Sequence, residues 1–284
     1  MKILCCISSR NDGILYITDS LRQMGHTVYF FPTEAYREIC SYPQKKLDKL
    51  GFHAGREAYL EKWRDKFRSV LSGAHLDLAL FIGSPCAMMT PQELQSLQMS
   101  VPTVCWFVDA VKESEDREYL PYYDRVFVFE KRDVVCLRNH HNIEAMYCPV
   151  GYNSAYEYTE KQQGKDIDIV FVGSPFKNRL RILEEFCMHA TLNHWKVAIY
   201  GSFYEKKYFW KSCLFQRQYP HIMKYLYNGR IAPECTASLY VRSKICLNIH
   251  LPAHKGVNPR TFEIMATGSF QIIDEREDYA GLAP

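Results

Sequence analysis

The chain has 284 residues, 47% of them apolar and 24% charged, with a formal net charge of +3. That length exceeds what one hydrophobic core organises, so two domains of roughly 100–150 residues are expected, with little room for disordered segments. So small a charge excludes a broad basic surface and gives no reason to expect a nucleic-acid partner, although a local cluster of cations could still hold a phosphate.

Short β-branched or aromatic runs alternate with longer amphipathic ones, the pattern of βαβ units around parallel sheets, so the class is α/β. In the first half Lys2–Ile7 reads as a strand, Ile14–Met24 as a helix and Thr27–Phe31 as the next strand, entered after Gly25. Polar helical stretches run to Leu71. Strands follow at Leu76–Ile82, Thr103–Val108 and Arg125–Phe129, then a helix from Lys131 to about His140 and a short strand at 145–148. Pro149-Val150-Gly151-Tyr152-Asn153 interrupts regular structure, and Tyr156–Asp166 is polar without an apolar period. The domain boundary is therefore expected at 152/153, giving domains 1–152 and 153–284. The pattern then restarts with strand Asp168–Val172, helix Asn178–Ala190, strand Lys196–Tyr200 and an aromatic, lysine-rich stretch to Tyr227. Helix Pro233–Arg242, strand Ile245–Ile249, helix Asn258–Thr267 and strand Phe270–Ile273 complete it. Two doubly wound units in series result, and ligands of such sheets bind beyond the carboxyl ends of the strands.

The eleven cysteines are scattered, mostly in apolar runs, with no CxxC pair. They read as small buried hydrophobes in a reducing compartment. No signal-peptide pattern opens the chain and no apolar run nears the roughly 20 residues that span a bilayer, so a cytoplasmic location is expected. Cys136, His140, His141 and Cys148 fit no common zinc spacing and read as structural, and no metal site is expected.

Three strands end in Gly-Ser, at Gly83-Ser84, Gly173-Ser174 and Gly201-Ser202. Glycine lets backbone N–H groups approach a ligand, and a following helix N-terminus favours an anion. Gly173-Ser174-Pro175-Phe176-Lys177-Asn178-Arg179 adds two cations, which suits a diphosphate; a plain tight turn with solvated charges is the alternative. No GxGxxG follows the first strand, where Ser8–Gly13 stands, and neither GxxxxGK[ST] nor GxSxG occurs. Nicotinamide dehydrogenases, P-loop nucleotidases and the usual serine hydrolases are thereby set aside. In the stretch from Leu247 to Gly268, Asn258 reads as an N-cap and Pro259 as the first helical residue. Arg260 and Glu263 fall on one helix face. A cation at a helix N-terminus opposes the dipole preference, which makes sense if Arg260 faces a bound anion.

The Asn258-x-Arg260-x-Phe262-Glu263-x-x-Ala266-x-Gly268 pattern, with Leu247–His250, Gly229, Leu239-Tyr240 and Phe171–Ser174, resembles the GT-B glycosyltransferases. Within them it is similar to the spore-maturation CgeB-like group, with its glycosyltransferase type-1-like C-terminal domain. The first half is similar more thinly, at Trp106–Asp109, Tyr123–Phe127 and Met146–Gly151. The resemblance implies two Rossmann-like doubly wound domains facing a cleft, the second holding a nucleoside-diphosphate sugar and the first an acceptor. It implies a metal-independent transferase without a cofactor, of hexosyl or deoxyhexosyl type, serving cell-surface glycan synthesis with a glycan, glycolipid or protein as acceptor. Glu263 would accept hydrogen bonds from the ribose hydroxyls, while Lys177, Arg179 and Arg260 supply charge to the diphosphate. Gly173, Ser174, Tyr200, Gly201, Tyr240, His250 and Asn258 would line the donor site, with the backbone of Arg230-Ile231 toward the base.

Two departures qualify it. Many retaining members carry two glutamates separated by seven residues, but the first position here is Lys255, which cannot accept hydrogen bonds from a sugar. The chain also stops soon after the Phe270–Ile273 strand, where family members continue, so exposed apolar surface is expected there. Asp109, beyond a strand end, is the candidate general base, with an N-cap or loop carboxylate as the alternative. Tyr204–Tyr227, with Lys206, Lys207, Lys211, Arg217 and Lys224, reads as a half-buried helical region with solvated lysines. Its pairing of rings and charge leaves contact with nucleic acid or anionic lipid open, and with the latter peripheral association at the cytoplasmic face of the inner membrane. The rival functions are a nucleotide-sugar 2-epimerase and an inactive nucleotide-sugar-binding protein.

Overall fold

The computed structural model describes residues 1–7, 16–33, 36–83, 88–111, 116–157, 164–205 and 207–279. The Ser8–Gly13 loop, the start of the expected Ile14–Met24 helix, Ser84, Lys206 and the last five residues lie outside them. The chain divides into Met1–Pro149 and Val150–Pro284, against the 152/153 boundary read from the sequence.

In the first unit six strands, β1 (Lys2–Ile7), β2 (Thr27–Pro32), β3 (Leu78–Ile82), β4 (Thr103–Phe107), β5 (Arg125–Val128) and β6 (Ala145–Tyr147), form one sheet. Its order is β2-β1-β3-β4-β5-β6, and every pairing is parallel. The Ala54–Gly73 helix packs Trp63 and Phe67 against Phe31 of β2, with Phe31–Trp63 and Trp63–Phe67 ring centroids both 5.0 Å apart. Trp63 Nε1 donates to the Pro32 carbonyl at 2.8 Å, so the ring is buried without stranding its one polar atom. A helix absent from the sequence reading spans Pro91–Gln98. Thr90 Oγ1 accepts the Glu93 N–H at 3.2 Å, and a Glu93 carboxylate oxygen accepts the Thr90 N–H at 2.8 Å, a reciprocal cap that Thr90-Pro91-Gln92-Glu93 spells out locally.

The second unit has β7 (Ile167–Val172), β8 (Val197–Gly201), β9 (Leu226–Asn228), β10 (Ser243–Asn248) and β11 (Gln271–Ile273), ordered β11-β10-β7-β8-β9 and all parallel. Successive side chains of a strand point to opposite faces. Val170 and Val172 accordingly join Ala198, Tyr240, Cys246 and Ile264 in one core, while Phe171 joins Ile199, Leu183 and Phe215 in another. Each such aliphatic or aromatic side chain contributes roughly 1.5–3 kcal/mol on burial. A sheet covered on both faces also explains why its strands read as continuous apolar runs. The short edge strand β9 was not separated from the aromatic stretch in sequence. At the other edge Phe270 and Ile272 are 61% and 50% exposed, so the apolar surface expected near the last strand is present.

All cysteines among the described residues are free. Cys5, Cys6, Cys105, Cys187 and Cys246 are buried as expected, whereas Cys213 and Cys235 are exposed. No helix among the described residues is long and apolar enough to cross a membrane.

Candidate functional site

Strand order in the second sheet reverses between β7 and β10, the kind of position beyond the carboxyl ends of the strands where ligands of open α/β sheets bind. Two segments meet at this point: the Gly173–Arg179 turn after β7 and the 249–258 loop after β10. Asn178 Nδ2 donates to the His250 carbonyl at 2.8 Å and Arg179 Nε to the Ile249 carbonyl at 2.8 Å, tying the turn to the loop. Arg179 is buried, with its guanidinium 5.2 Å from the Phe176 ring centroid. Burial, then the neighbouring Arg260, pulls its pKa down to about 10, which still leaves it a cation near neutral pH. Its Nη1 reaches the Ser174 carbonyl at 3.4 Å.

Arg260 arrives from the other side, in the first turn of the Pro259–Ala266 helix, where no acidic residue stands. A Cβ added to Gly173 would come within 3.3 Å of Arg260 Nη1 and 2.9 Å of the Phe171 ring, so glycine here is what lets the guanidinium close on the turn. Gly201 is subject to a harder constraint: its added Cβ would lie 2.1 Å from the Gly173 carbonyl oxygen, an overlap with backbone. These two glycines are thus used for close approach of β7 and β8, sealed by the Gly173 N–H donating to the Tyr200 carbonyl at 2.9 Å. The Tyr200 ring stacks on Tyr227 at 4.6 Å.

Around Arg260 sit three polar side chains on three elements. Tyr240 is 1% exposed; its hydroxyl lies beside the Arg260 guanidinium and the Glu263 carboxyl, yet neither it nor Arg260 Nε has a well-directed hydrogen-bond partner. Tyr156 is buried, stacks on Tyr240 with centroids 6.3 Å apart, and hydrogen-bonds the Glu263 carboxyl. Burial raises the Glu263 carboxyl above the usual glutamate range, against the opposing pull of Arg260 and of the Tyr156 hydroxyl. Burial, followed by the Glu263 charge, raises the Tyr156 phenol in turn. Glu263 and Arg260 are half-buried.

Asn258 and His250 tie the helix start to the β10 loop. Asn258 Oδ1 accepts the Thr261 N–H at 3.1 Å, and its Nδ2 donates to Asn248 Oδ1 at 2.9 Å. Both ends of that amide are therefore engaged in capping the helix and in holding a buried neighbour. His250 is 2% exposed, with Nδ1 2.8 Å from Asp274 Oδ1 and Nε2 accepting the Asn258 N–H at 3.2 Å. A ring nitrogen that accepts carries no proton, so the imidazole is neutral with its hydrogen on Nδ1. Burial, against the pull of Asp274, holds its pKa below the ordinary 6.5. The unfolded chain then takes up the proton first, so this contribution to stability is complete above about pH 6.5 and is lost as pH falls through the lower folded value. The melting temperature is expected to drop between about pH 7 and pH 5, and His250→Gln to flatten that slope; circular dichroism melts across the range measure it.

The remaining expected residues are more dispersed. Ser174 and Lys177 are exposed, and Lys177 lines a groove with Arg181, Glu184, Tyr219 and His221. Arg230 is exposed, while Ile231 packs on the core around Val170 and Tyr240. A pocket of about 580 Å³ opens beyond β8 and β9, lined by Ser202, Phe203, Tyr204, Glu205, Lys211, Asn228 and Gly229. Asn228 shapes it, its Oδ1 accepting the Phe203 N–H at 2.7 Å and its Nδ2 donating to the Tyr204 carbonyl at 2.9 Å. In the first unit Asp109 is exposed after β4, and its Oδ1 accepts the Ala110 N–H at 3.1 Å. Buried Asp133 steadies the same loop by accepting the Val111 N–H at 3.1 Å. No group of three or more His, Cys, Asp or Glu among the described residues is placed to hold a metal ion.

The sequence reading missed Tyr156, Asp274 and Asn228. Tyr156 was assigned to a polar linker, but it closes a short 3-10 turn, Ser154–Tyr156, capped by Asn153, and is buried through a contact remote in sequence. An Asn two residues before a small residue and an aromatic was the only local signal.

Residues 179–282 match a family model described as glycosyl transferase-like. No curated protein sequence matches the chain. Among solved structures, the chain is similar to a glycosyltransferase from Rickettsia africae (TM-score 0.61, 11% identity, covering 100% of this chain and 82% of that one). It is similar to the catalytic domain of starch synthase IV from Arabidopsis thaliana bound to ADP and acarbose (0.60, 9%, 99% and 84%). A third is a candidate UDP-N-acetylglucosamine 2-epimerase from Listeria monocytogenes (0.58, 7%, 96% and 78%). At these identities the likeness is one of fold, and with the two parallel sheets it gives two Rossmann-like domains of the GT-B type.

Proposed function

We propose that the second unit binds a nucleoside-diphosphate sugar and that the chain transfers the sugar to a hydroxyl acceptor, as a CgeB-like glycosyltransferase. One observation carries the reading: Arg179 and Arg260 converge on the Gly173-Ser174 turn at the reversal of strand order, with Arg260 Nε buried and unpartnered. Arg179, whose cation is disfavoured by burial and then by the neighbouring Arg260, is relieved by a multiply charged anion, and a diphosphate supplies that charge. They supply the charge a divalent metal would otherwise bring, so the reaction is assigned as metal-independent. Glu263, oriented by Tyr156, takes the ribose hydroxyls, and the Gly229–Ile231 backbone faces the base. Asp109 of the first unit is assigned as the base that removes the acceptor proton. A glycan, glycolipid or protein hydroxyl on the cytoplasmic side serves as acceptor, in cell-surface glycan synthesis.

The test is incubation with nucleotide-sugars, with and without an acceptor panel, followed by chromatography. Free nucleoside diphosphate that accumulates with acceptor supports the transferase. Isomerised nucleotide-sugar without released nucleotide would identify a 2-epimerase, the reading that the third structural likeness keeps in play. Donor binding with neither product would identify a binding protein.

A further inference from the structure

The Phe209–Gln218 helix presents its apolar side to solvent. Phe209 and Cys213, and Trp210 and Leu214, are spaced four apart and form one stripe, closed by Arg217 three residues beyond Leu214. Phe209 is 81% exposed, Trp210 59% and Leu214 58%, while Phe215 on the opposite side is buried against Phe203 and Tyr219. The anchoring face alone would satisfy an ordinary surface helix, whose outward face is polar. A contiguous outward stripe of aromatic and aliphatic side chains marks a contact surface.

Its chemistry selects the contact. Lys207 lies 5.5 Å from the Tyr208 ring centroid, and Lys211 lies 4.9 Å from that of Tyr208 and 5.5 Å from that of Trp210. Lys211 pairs with Glu205 at 2.6 Å, so exposed Lys207 and Arg217 leave a cation at each end of the stripe. Against a second copy of the chain, in either direction along the helix, cation would meet cation. Anionic headgroups reverse that sign, and Trp, Tyr and Phe beside Lys and Arg suit the boundary between headgroups and acyl chains. We infer that the Phe209–Gln218 helix docks this protein on an anionic lipid surface, lying in the plane of the interface with Phe209, Trp210 and Leu214 inserted. This docking requires no particular donor or acceptor, so it stands or falls apart from the transferase reading.

The full chain is floated with phosphatidylcholine vesicles, alone or with about a third phosphatidylglycerol. Binding to the anionic vesicles about tenfold above that to neutral ones is expected, reduced by salt. Phe209→Ser with Trp210→Ser should lower it about tenfold or more, and Lys207→Glu with Arg217→Glu should remove the salt dependence. Where a double variant misfolds by circular dichroism, tryptophan emission decides: a blue shift with anionic vesicles that Trp210→Phe abolishes supports insertion. Absence of binding to anionic vesicles overturns the proposal, as does undiminished binding by the folded serine variant. A wild-type dimer in sedimentation that the serine variant converts to monomer also overturns it, assigning the stripe to a second copy.

Discussion

Replacing Arg260 with alanine is expected to weaken nucleoside diphosphate binding about thirtyfold to a hundredfold, the roughly 2–3 kcal/mol of a charge-assisted contact in a half-buried site. The guanidinium closes over Gly173 and has a buried Nε awaiting an acceptor, so its loss removes charge and direction together. A diphosphate at a hundred times its dissociation constant stabilises the wild-type fold by about 2.7 kcal/mol. At the same concentration a hundredfold weaker variant would gain only about 0.4 kcal/mol. Uridine, guanosine, thymidine and cytidine diphosphates, compared by thermal shift, identify the base and measure this difference. Glu263→Ala supplies the contrast, because a ribose contact is shared by nucleosides and diphosphates, whereas Arg260 matters only when phosphate is present. An Arg260→Ala protein that keeps the full shift would remove the anion site from this helix.

Much of this site was legible because its signals are local. Asn258-Pro259 announces a helix start, and the Pro233–Arg242 helix was read with the bounds the structure has, opened by proline and closed where strand-forming residues resume. The strands stood out because a sheet covered on both faces demands unbroken apolar runs. What stayed hidden depends on distant partners. The 2.1 Å approach of a Gly201 Cβ to the Gly173 carbonyl couples residues on neighbouring strands, and nothing around Gly201 distinguishes that demand from an ordinary turn. Tyr156 lacks any apolar period and is recruited by Tyr240 from across the unit. His250 looked like lining, but its two nitrogens are consumed by Asp274 and by the Asn258 N–H, the first of which lies 24 residues on. Residue type was enough to single out these segments; which side chains are tied into the framework required the hydrogen-bond partners.

The larger effect on rate is expected at Asp109. Asparagine there keeps the oxygen that accepts the Ala110 N–H, so the loop after β4, braced independently by Asp133 at Val111, should hold its shape. It loses the negative charge and with it the capacity to accept a proton from an attacking hydroxyl. A general base contributes about a hundredfold to ten-thousandfold to rate, so turnover of Asp109→Asn should fall within that range while donor binding, proposed for the second unit, remains as in the wild type. The pairing of those two readouts is what makes the assignment specific, since a damaged fold would lose both and a bystander carboxylate neither. Asp109 is exposed, as a group that must meet an incoming acceptor has to be, and its Oδ1 accepts the Ala110 N–H. Unchanged release of nucleoside diphosphate by Asp109→Asn, with acceptor present and saturating donor, would take the base role away from this residue and reduce it to a loop carboxylate.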